Sequence, residues 1–200
     1  MILDRLMAQT RTGGGDQDSA AESMSVDDFA AQHPAINAVL FVEPARAAFA
    51  LHHESPAEIV ILQGDTSLRG FVRWSAPDPR TCSSMERPRI IEHGAIVMAG
   101  LMLSRFEGKQ ITRVCERRSH VDYFVGDAGS EKRWILEVSG TEDGSMAALR
   151  ARKHEQIRRS RYQRPPHNMS GFVAVTRFAE GAITVLDYVP AEKQTEQNDG

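Results

Sequence analysis

A regular succession of apolar patterns between residues 89 and 189 is the feature that most constrains the fold of this chain. The first pattern, RIIEHGAIVMAGLMLSRFEG, has helical spacing, and Gly108 provides a stop signal at its end. Its apolar face carries Ile91, Ala95, Met98, Met102 and Phe106. The spacing predicts a long and mostly buried helix.

Three strand-like runs follow this helix: ITRVCER, HVDYFVGD and KRWILEVSG. Gly144 and Ser145 then open a second helix, which should extend to about Tyr162 and end before Pro165-Pro166. Two more strand-like runs, GFVAVTRF and AITVLDYV, complete the succession. The order αβββαββ, without an internal repeat, predicts an α/β fold that contains an antiparallel meander.

The rest of the chain divides by composition. Residues 1–25 include a Gly, Ser, Asp and Gln-rich stretch and are predicted to be a flexible N-terminal segment, as is the tail at 191–200. Residues 26–75 contain short apolar runs that indicate a small helix-and-strand subregion of unassigned role. Residues 76–88 carry three prolines, which predict a surface loop and an internal boundary.

Composition excludes several classes of protein. The chain has no apolar run of the roughly 18 to 20 residues that a membrane span needs, and we expect no secretory leader from its first residues, MILDRLM. Cys82 and Cys115 are too few for a disulfide framework and lack the spacing of a structural zinc site. We therefore expect a cytoplasmic protein with no membrane partner.

Two strand-like runs each contain one acid among apolar residues: Asp122 in HVDYFVG and Glu137 in WILEVS. A carboxylate in a buried strand costs several kcal/mol unless it meets a cation or hydrogen-bond donors. Two such acids on adjacent strands suggest a shared cation, and oxygen ligands favour Mg²⁺. The alternative is that both acids are half-exposed and pair with nearby arginines.

Lys153 lies on the apolar side of the second helix, four residues from both Leu149 and Ile157. The spacing directs its ammonium group toward the sheet, where it could orient a water molecule or neutralise a phosphate during attack. The alternative is that its stem covers apolar surface while its charged end reaches solvent.

The second helix and the loop after it are strongly basic, with seven Lys or Arg residues between positions 150 and 164 against the single acid Glu155. This density predicts contacts with nucleic-acid phosphates, and the low aromatic content of 6% favours duplex DNA over single strands. The alternative is a solvated helix face. The candidate binding residues are Arg150, Arg152, Arg158, Arg159 and Arg161, with Arg117 and Arg118 extending the patch.

Together these residues resemble the PD-(D/E)xK nuclease superfamily over residues 89–190. The resemblance implies a restriction-endonuclease-like core (αβββαβ) with a small N-terminal α+β extension. It also implies that Asp122 and Glu137 are the motif acids and bind metal, and that Glu92 is the further carboxylate that some members supply from the first helix. Ser139 stands where the motif lysine is expected, and Lys153 would replace that lysine from the following helix.

The resemblance implies hydrolysis of DNA phosphodiester bonds with Mg²⁺ or Mn²⁺, with Asp122, Glu137 and Lys153 as catalytic residues. The alternative is a catalytically inactive module of the same fold that binds nucleic acid or a protein partner, with Ser139 marking the lost activity. A third hypothesis is a structural or interaction protein in which the acids never converge. A homodimer is compatible with cutting two strands.

Overall fold

The computed structural model of the chain describes residues 22–116, 119, 121–179 and 181–191. Within these residues there are eight strands in one mixed sheet and five α-helices, of which the two longest make the main contacts with the sheet. The strands are β1 (Glu22–Ser25), β2 (Ala57–Gln63), β3 (Thr66–Arg73), β4 (Gln110–Val114), β5 (Tyr123–Gly126), β6 (Arg133–Thr141), β7 (Gly171–Arg177) and β8 (Ala182–Val189). The helices are α1 (Phe29–Gln32), α2 (Val39–Ala50), α3 (Pro79–Ser84), α4 (Arg87–Met102) and α5 (Met146–Arg159).

The strand order across the sheet is β1-β3-β2-β8-β7-β6-β5-β4. Strands β4, β5 and β6 form an antiparallel meander, α5 connects β6 to the parallel strand β7, and β7 and β8 form a hairpin. The predicted element order from residue 89 and the predicted α/β class are therefore confirmed.

Helix α4 follows the predicted periodicity because its apolar residues recur at helical spacing. Pro88 stands in its first turn, where a missing N–H costs nothing. A π-helical turn at Leu103–Glu107 extends the helix to Gly108, which adopts a left-handed conformation with φ of 62° and ends it. Ile91, Met98 and Met102 are buried, as the spacing predicts.

The sheet separates two apolar clusters. Helices α2 and α4 pack together on one face, over side chains such as Leu136 and Val138 of β6. Helix α5 covers part of the other face, where Ile157 packs with Ile135 of β6 and Val173 of β7. The side chains of each strand alternate between these two clusters, as expected for a sheet with helices on both faces.

The segment at residues 26–75, predicted to be a small helix-and-strand subregion, contains helices α1 and α2 and strands β2 and β3. Strand β2 pairs in parallel with β8, so residues 57–73 continue the same sheet. Residues 22–25, which were predicted to be flexible, form β1 and pair in parallel with β3. Both pairings join residues that are distant in sequence, so local composition could not predict them. Residues 1–21 and 192–200, for which flexibility was predicted, lie outside the described residues.

Two further boundaries are corrected. The predicted surface loop at residues 76–88 contains helix α3, which Asp78 caps by accepting a hydrogen bond from the Arg80 backbone N–H at 2.9 Å. Helix α5 ends at Arg159 instead of Tyr162, because Ser160 is already extended. Among the described helices, none is long and apolar enough to cross a lipid bilayer.

Candidate functional site

Glu137 lies in the middle of β6 and points toward α5. Its neighbours Leu136 and Val138 point to the opposite face of the sheet, and Val173 of β7 pairs with it. The side chain of Glu137 is only 2% exposed. A carboxylate at this position is stable only if a cation or a proton compensates its charge.

Asp122 stands immediately before β5 and continues the pairing of that strand with β6. Its backbone N–H donates to the carbonyl oxygen of Leu136 at 3.0 Å. The carboxylate oxygen Oδ2 accepts a hydrogen bond from the Val138 backbone N–H at 2.9 Å, which places the carboxylate over β6. The side chain of Asp122 is 41% exposed, so this end of the site is open to solvent.

Lys153 reaches both acids from α5. Ser145 caps this helix by accepting a hydrogen bond from the Ala148 backbone N–H, and the apolar stripe that includes Ile157 rotates Lys153 toward the sheet. Its Nζ atom donates to Oε2 of Glu137 at 2.6 Å and lies 3.6 Å from Oδ2 of Asp122. The structure therefore brings together two carboxylates and one ammonium group, hereafter the site trio.

The surroundings of Glu137 shift the pKa of its carboxyl group toward neutral pH. Burial, and after it the neighbouring Asp122, raise the pKa of Glu137 to about 7, although Lys153 opposes both effects. The ammonium group of Lys153 therefore opposes protonation of the Glu137 carboxylate near neutral pH. A divalent ion would serve the same electrostatic role as the ammonium group of Lys153.

Two members of the site trio, Asp122 and Glu137, carry carboxylate oxygens, which are the kind of ligand that Mg²⁺ prefers, and Asp122 is partly open to solvent. Glu92 does not join them: it is exposed on α4, which packs on the other face of β6. In the described part of the chain, no group of three or more His, Cys, Asp or Glu side chains is arranged to hold a metal ion.

A second buried acid, Asp187 of β8, was missed by the sequence analysis. Its side chain is 6% exposed and forms a bidentate ion pair with Arg150 of α5, while His154 Nε2 lies 2.9 Å from Oδ2. The signal was present, because the run AITVLDYV places one acid among apolar residues just as HVDYFVG and WILEVS do.

The predicted nucleic-acid-binding arginines are dispersed around α5. Arg150 is engaged by Asp187, while Arg158 and Arg159 both lie near Glu155 at 3.8 and 2.7 Å. Arg161 pairs with Glu116 at 2.8 Å and lies over the ring of Tyr162. Arg152 is exposed. Arg117 and Arg118 lie outside the described residues, and so does His120.

The ion pairs of Arg158, Arg159 and Arg161 with Glu155 or Glu116 are largely solvent-exposed and therefore weak. Arg150 is different, because its partner is buried and its guanidinium is oriented by two hydrogen bonds.

Comparison of the chain with protein-family models, with curated proteins and with solved structures finds no match. The relationship to the PD-(D/E)xK superfamily therefore stays a prediction.

Proposed function

We propose that this chain hydrolyses phosphodiester bonds of DNA with the help of Mg²⁺ or Mn²⁺. The observation that carries the proposal is the site trio: the Lys153 ammonium nitrogen lies 2.6 Å from a carboxylate oxygen of Glu137 on β6 and 3.6 Å from one of Asp122, just before β5. The order of the elements from residue 87, αβββαβ, supports it further because it is the order that the resemblance implies.

Each member of the site trio has a role in this reaction. Asp122 and Glu137 would hold the divalent cation, which neutralises charge on the scissile phosphate and lowers the pKa of the attacking water. A bond forms between the water oxygen and phosphorus, and the bond to the 3′ oxygen breaks. The water gives up its proton to solvent, and the leaving oxygen takes one from solvent.

When a cation binds, the ammonium group of Lys153 would exchange its hydrogen bond to Glu137 for one to the phosphate. If Glu137 were a ligand of the cation, Lys153 would be free to donate a hydrogen bond from its ammonium group to a nonbridging phosphate oxygen. Charge that develops on that oxygen during attack is then stabilised by a donor already held at the site. The exposed arginines of α5 would contact neighbouring phosphates, so binding should weaken steeply with salt.

A second candidate function, a catalytically inactive module that binds DNA or a protein partner, is favoured by one observation. Lys153 already satisfies Glu137 at 2.6 Å, and Glu137 is almost fully buried. Such a closed ion pair is also what a purely structural site would contain, and Ser139 occupies the position of the motif lysine.

Cleavage of linear duplex DNA by the full chain with Mg²⁺ or Mn²⁺ separates the two candidates. Asp122→Asn and Glu137→Gln should each abolish cleavage, whereas the control Glu131→Gln, in the exposed turn before β6, should cleave like the unmodified chain. Equal cleavage by all four proteins would reject the site trio as the active site. Salt-sensitive DNA binding without cleavage would establish the inactive module.

A further inference from the structure

Helix α5 leaves an open groove beside it on its face of the sheet. The helix makes its main contacts with β6 and β7, and the sheet continues next to it with β8 and β2. A cavity of about 520 Å³ lies between α5 and these two strands. Small-molecule sites in proteins have volumes of about 300–1,000 Å³, so this cavity, hereafter the α5 groove, has the size of such a site.

The floor of the α5 groove is a small apolar area. It consists of Leu62 of β2, of Val185 of β8, which pairs with Leu62, and of Ile183 two residues earlier on β8. Leu62 and Ile183 are only half-buried. On the next strand, β3, the exposed Ser67 pairs with Leu62 and ends the apolar area. The floor is therefore two strands wide, about 5 Å between their axes, whereas a helix is about 10 Å across. It suits a small molecule better than a protein segment.

The wall that α5 contributes to the groove is also apolar in its first half. Ala147 and Ala151 lie four residues apart on one side of the helix, are exposed and line the groove together with Met146. The short alanine side chains leave the space between helix and floor open. From Met146 to Arg158, the lining part of α5 extends about 18 Å along the helix axis, so the groove is long enough for an extended chain.

Three basic side chains line the second half of the α5 groove. Arg150, His154 and Arg158 recur every four residues and therefore project from the same side of α5. Among the described residues that line this cavity, none is acidic. The groove thus has an apolar part near Met146 and a cationic part near Arg158.

Both arginines keep hydrogen-bond donors for a ligand. Asp187 accepts hydrogen bonds from Nε and Nη2 of Arg150, two of the nitrogen atoms of a group with five N–H donors, and the Arg150 side chain is 41% exposed. The ion pair of Arg158 with Glu155 spans 3.8 Å and is largely exposed, so it is weak. An anionic group at this end of the groove would therefore meet available positive charge.

We propose that the α5 groove binds a small amphipathic anion. Its aliphatic chain lies over Leu62, Ile183 and Val185, and its anionic head group lies beside Arg150 and Arg158. The described side chains that line the apolar part carry no hydrogen-bonding group, so they favour an aliphatic chain over a sugar or a base. This inference is independent of the proposed nuclease activity.

Calorimetric titration of the full chain with decyl phosphate, below its micelle-forming concentration, tests the proposal. We expect one molecule bound per chain, at least tenfold more tightly than hexyl phosphate, because each buried methylene group strengthens binding about threefold to fourfold. Inorganic phosphate should show no measurable binding at the same concentration. Decyltrimethylammonium, which has the same chain and a cationic head group, should bind at least tenfold more weakly than decyl phosphate.

Two pairs of variants locate the bound molecule. Ala151→Trp fills the groove and should weaken the binding of decyl phosphate at least tenfold, whereas Ala148→Trp, also exposed on α5 but outside the groove, should bind it like the unmodified chain. Arg158→Gln should weaken binding several-fold, and Arg89→Gln, an exposed position on α4 at the other face of the sheet, should not. Circular dichroism of each variant measures whether the helices are retained.

The other outcomes would overturn the proposal. Inorganic phosphate bound as tightly as decyl phosphate would reduce the groove to a phosphate contact, and equal binding of the cationic amphiphile would show adsorption without recognition of the head group. Equal effects of Ala151→Trp and Ala148→Trp would place the amphiphile elsewhere on the chain. The absence of saturable binding of decyl phosphate would contradict the site itself.

Discussion

Glu137 of β6 and Asp187 of β8 lie in one row across the sheet, because Val173 of β7 pairs with both. Both acids are buried, and each is paired with basic side chains of α5. Two buried ion pairs beneath one helix fix both its rotation and its position along the sheet. This orientation of α5 places the Lys153 ammonium group beside Glu137 and Asp122.

Removal of the ammonium group of Lys153 should destabilise the fold. Lys153→Met leaves Glu137 buried without a cation, and such a change costs about 3 kcal/mol. The double variant Lys153→Met/Glu137→Leu removes both charges and should recover most of that loss. Urea denaturation of the three proteins measures the free energy of unfolding. A double variant no more stable than Lys153→Met would contradict the pairing.

The rate of DNA cleavage should depend on an ammonium group at the site more than on which residue of the chain supplies it. Ser139 lies two residues after Glu137 on the same face of β6. Lys153→Ala should lower the rate of DNA cleavage about 100-fold or more, and adding Ser139→Lys should restore at least a tenth of the lost rate. Lys132→Ala, which alters an exposed lysine, serves as the control. Full cleavage by Lys153→Ala would remove this residue from the mechanism.

His33 should make the fold sensitive to acid. It is fully buried, its Nδ1 accepts a hydrogen bond from the Ile111 backbone N–H at 3.0 Å, and burial lowers its pKa to about 4. Between the ordinary pKa of about 6.5 and pH 4, the unfolded chain binds a proton that the native chain does not. The stabilisation from neutral His33 is therefore complete above pH 6.5 and is lost as the pH falls toward 4.

Two histidine variants separate the contribution of His33 to the pH dependence of stability from that of other groups. His33→Asn keeps a hydrogen-bond acceptor but cannot titrate, so its free energy of unfolding should fall less between pH 7.5 and 4.5 than that of the unmodified chain. The control His167→Asn, at an exposed position, should keep the full dependence. Parallel pH curves for all three proteins would show that His33 does not contribute.

The close approach of α4 to β6 should make Gly140 sensitive to substitution. A Cβ atom at this position would lie 2.6 Å from the Ile91 carbonyl oxygen and 3.0 Å from the Ala95 Cβ atom. Gly140→Ala should therefore lower the free energy of unfolding by about 1–3 kcal/mol. Ser139→Ala, at the preceding residue on the opposite face of β6, should change the free energy of unfolding by less than about 0.5 kcal/mol. Equal stability of the two variants would contradict the close packing.

Strong local periodicity explains which parts of the fold could be predicted from the sequence. Helix α4 and the strands of the meander carry long apolar patterns of a single period, and they occur where predicted. Strand β1 and helix α3 have four and six residues, too few for a recognisable period. The parallel pairing of β2 with β8 joins distant segments, and no local pattern encodes it.

In the candidate site too, features encoded by local sequence patterns were predicted, and features set by long-range packing were not. An acid within an apolar run identified Asp122 and Glu137, and the helical stripe identified the inward direction of Lys153. Asp187 carries the same signal, an acid within an apolar run, but its ion pair with Arg150 joins residues distant in sequence and was not predicted. The placement of Glu92 on the opposite face depends on how α4 packs against the sheet, which residue spacing does not determine.

The central claim is that Asp122 and Glu137 hold a divalent cation in place of the ammonium group of Lys153. Calorimetric titration of the full chain with Mn²⁺, in parallel with Glu137→Gln and the control Glu131→Gln, measures this directly. We predict saturable binding to the unmodified chain and to the control, and its loss in Glu137→Gln. Equal binding by all three proteins, or binding by none, would contradict the account.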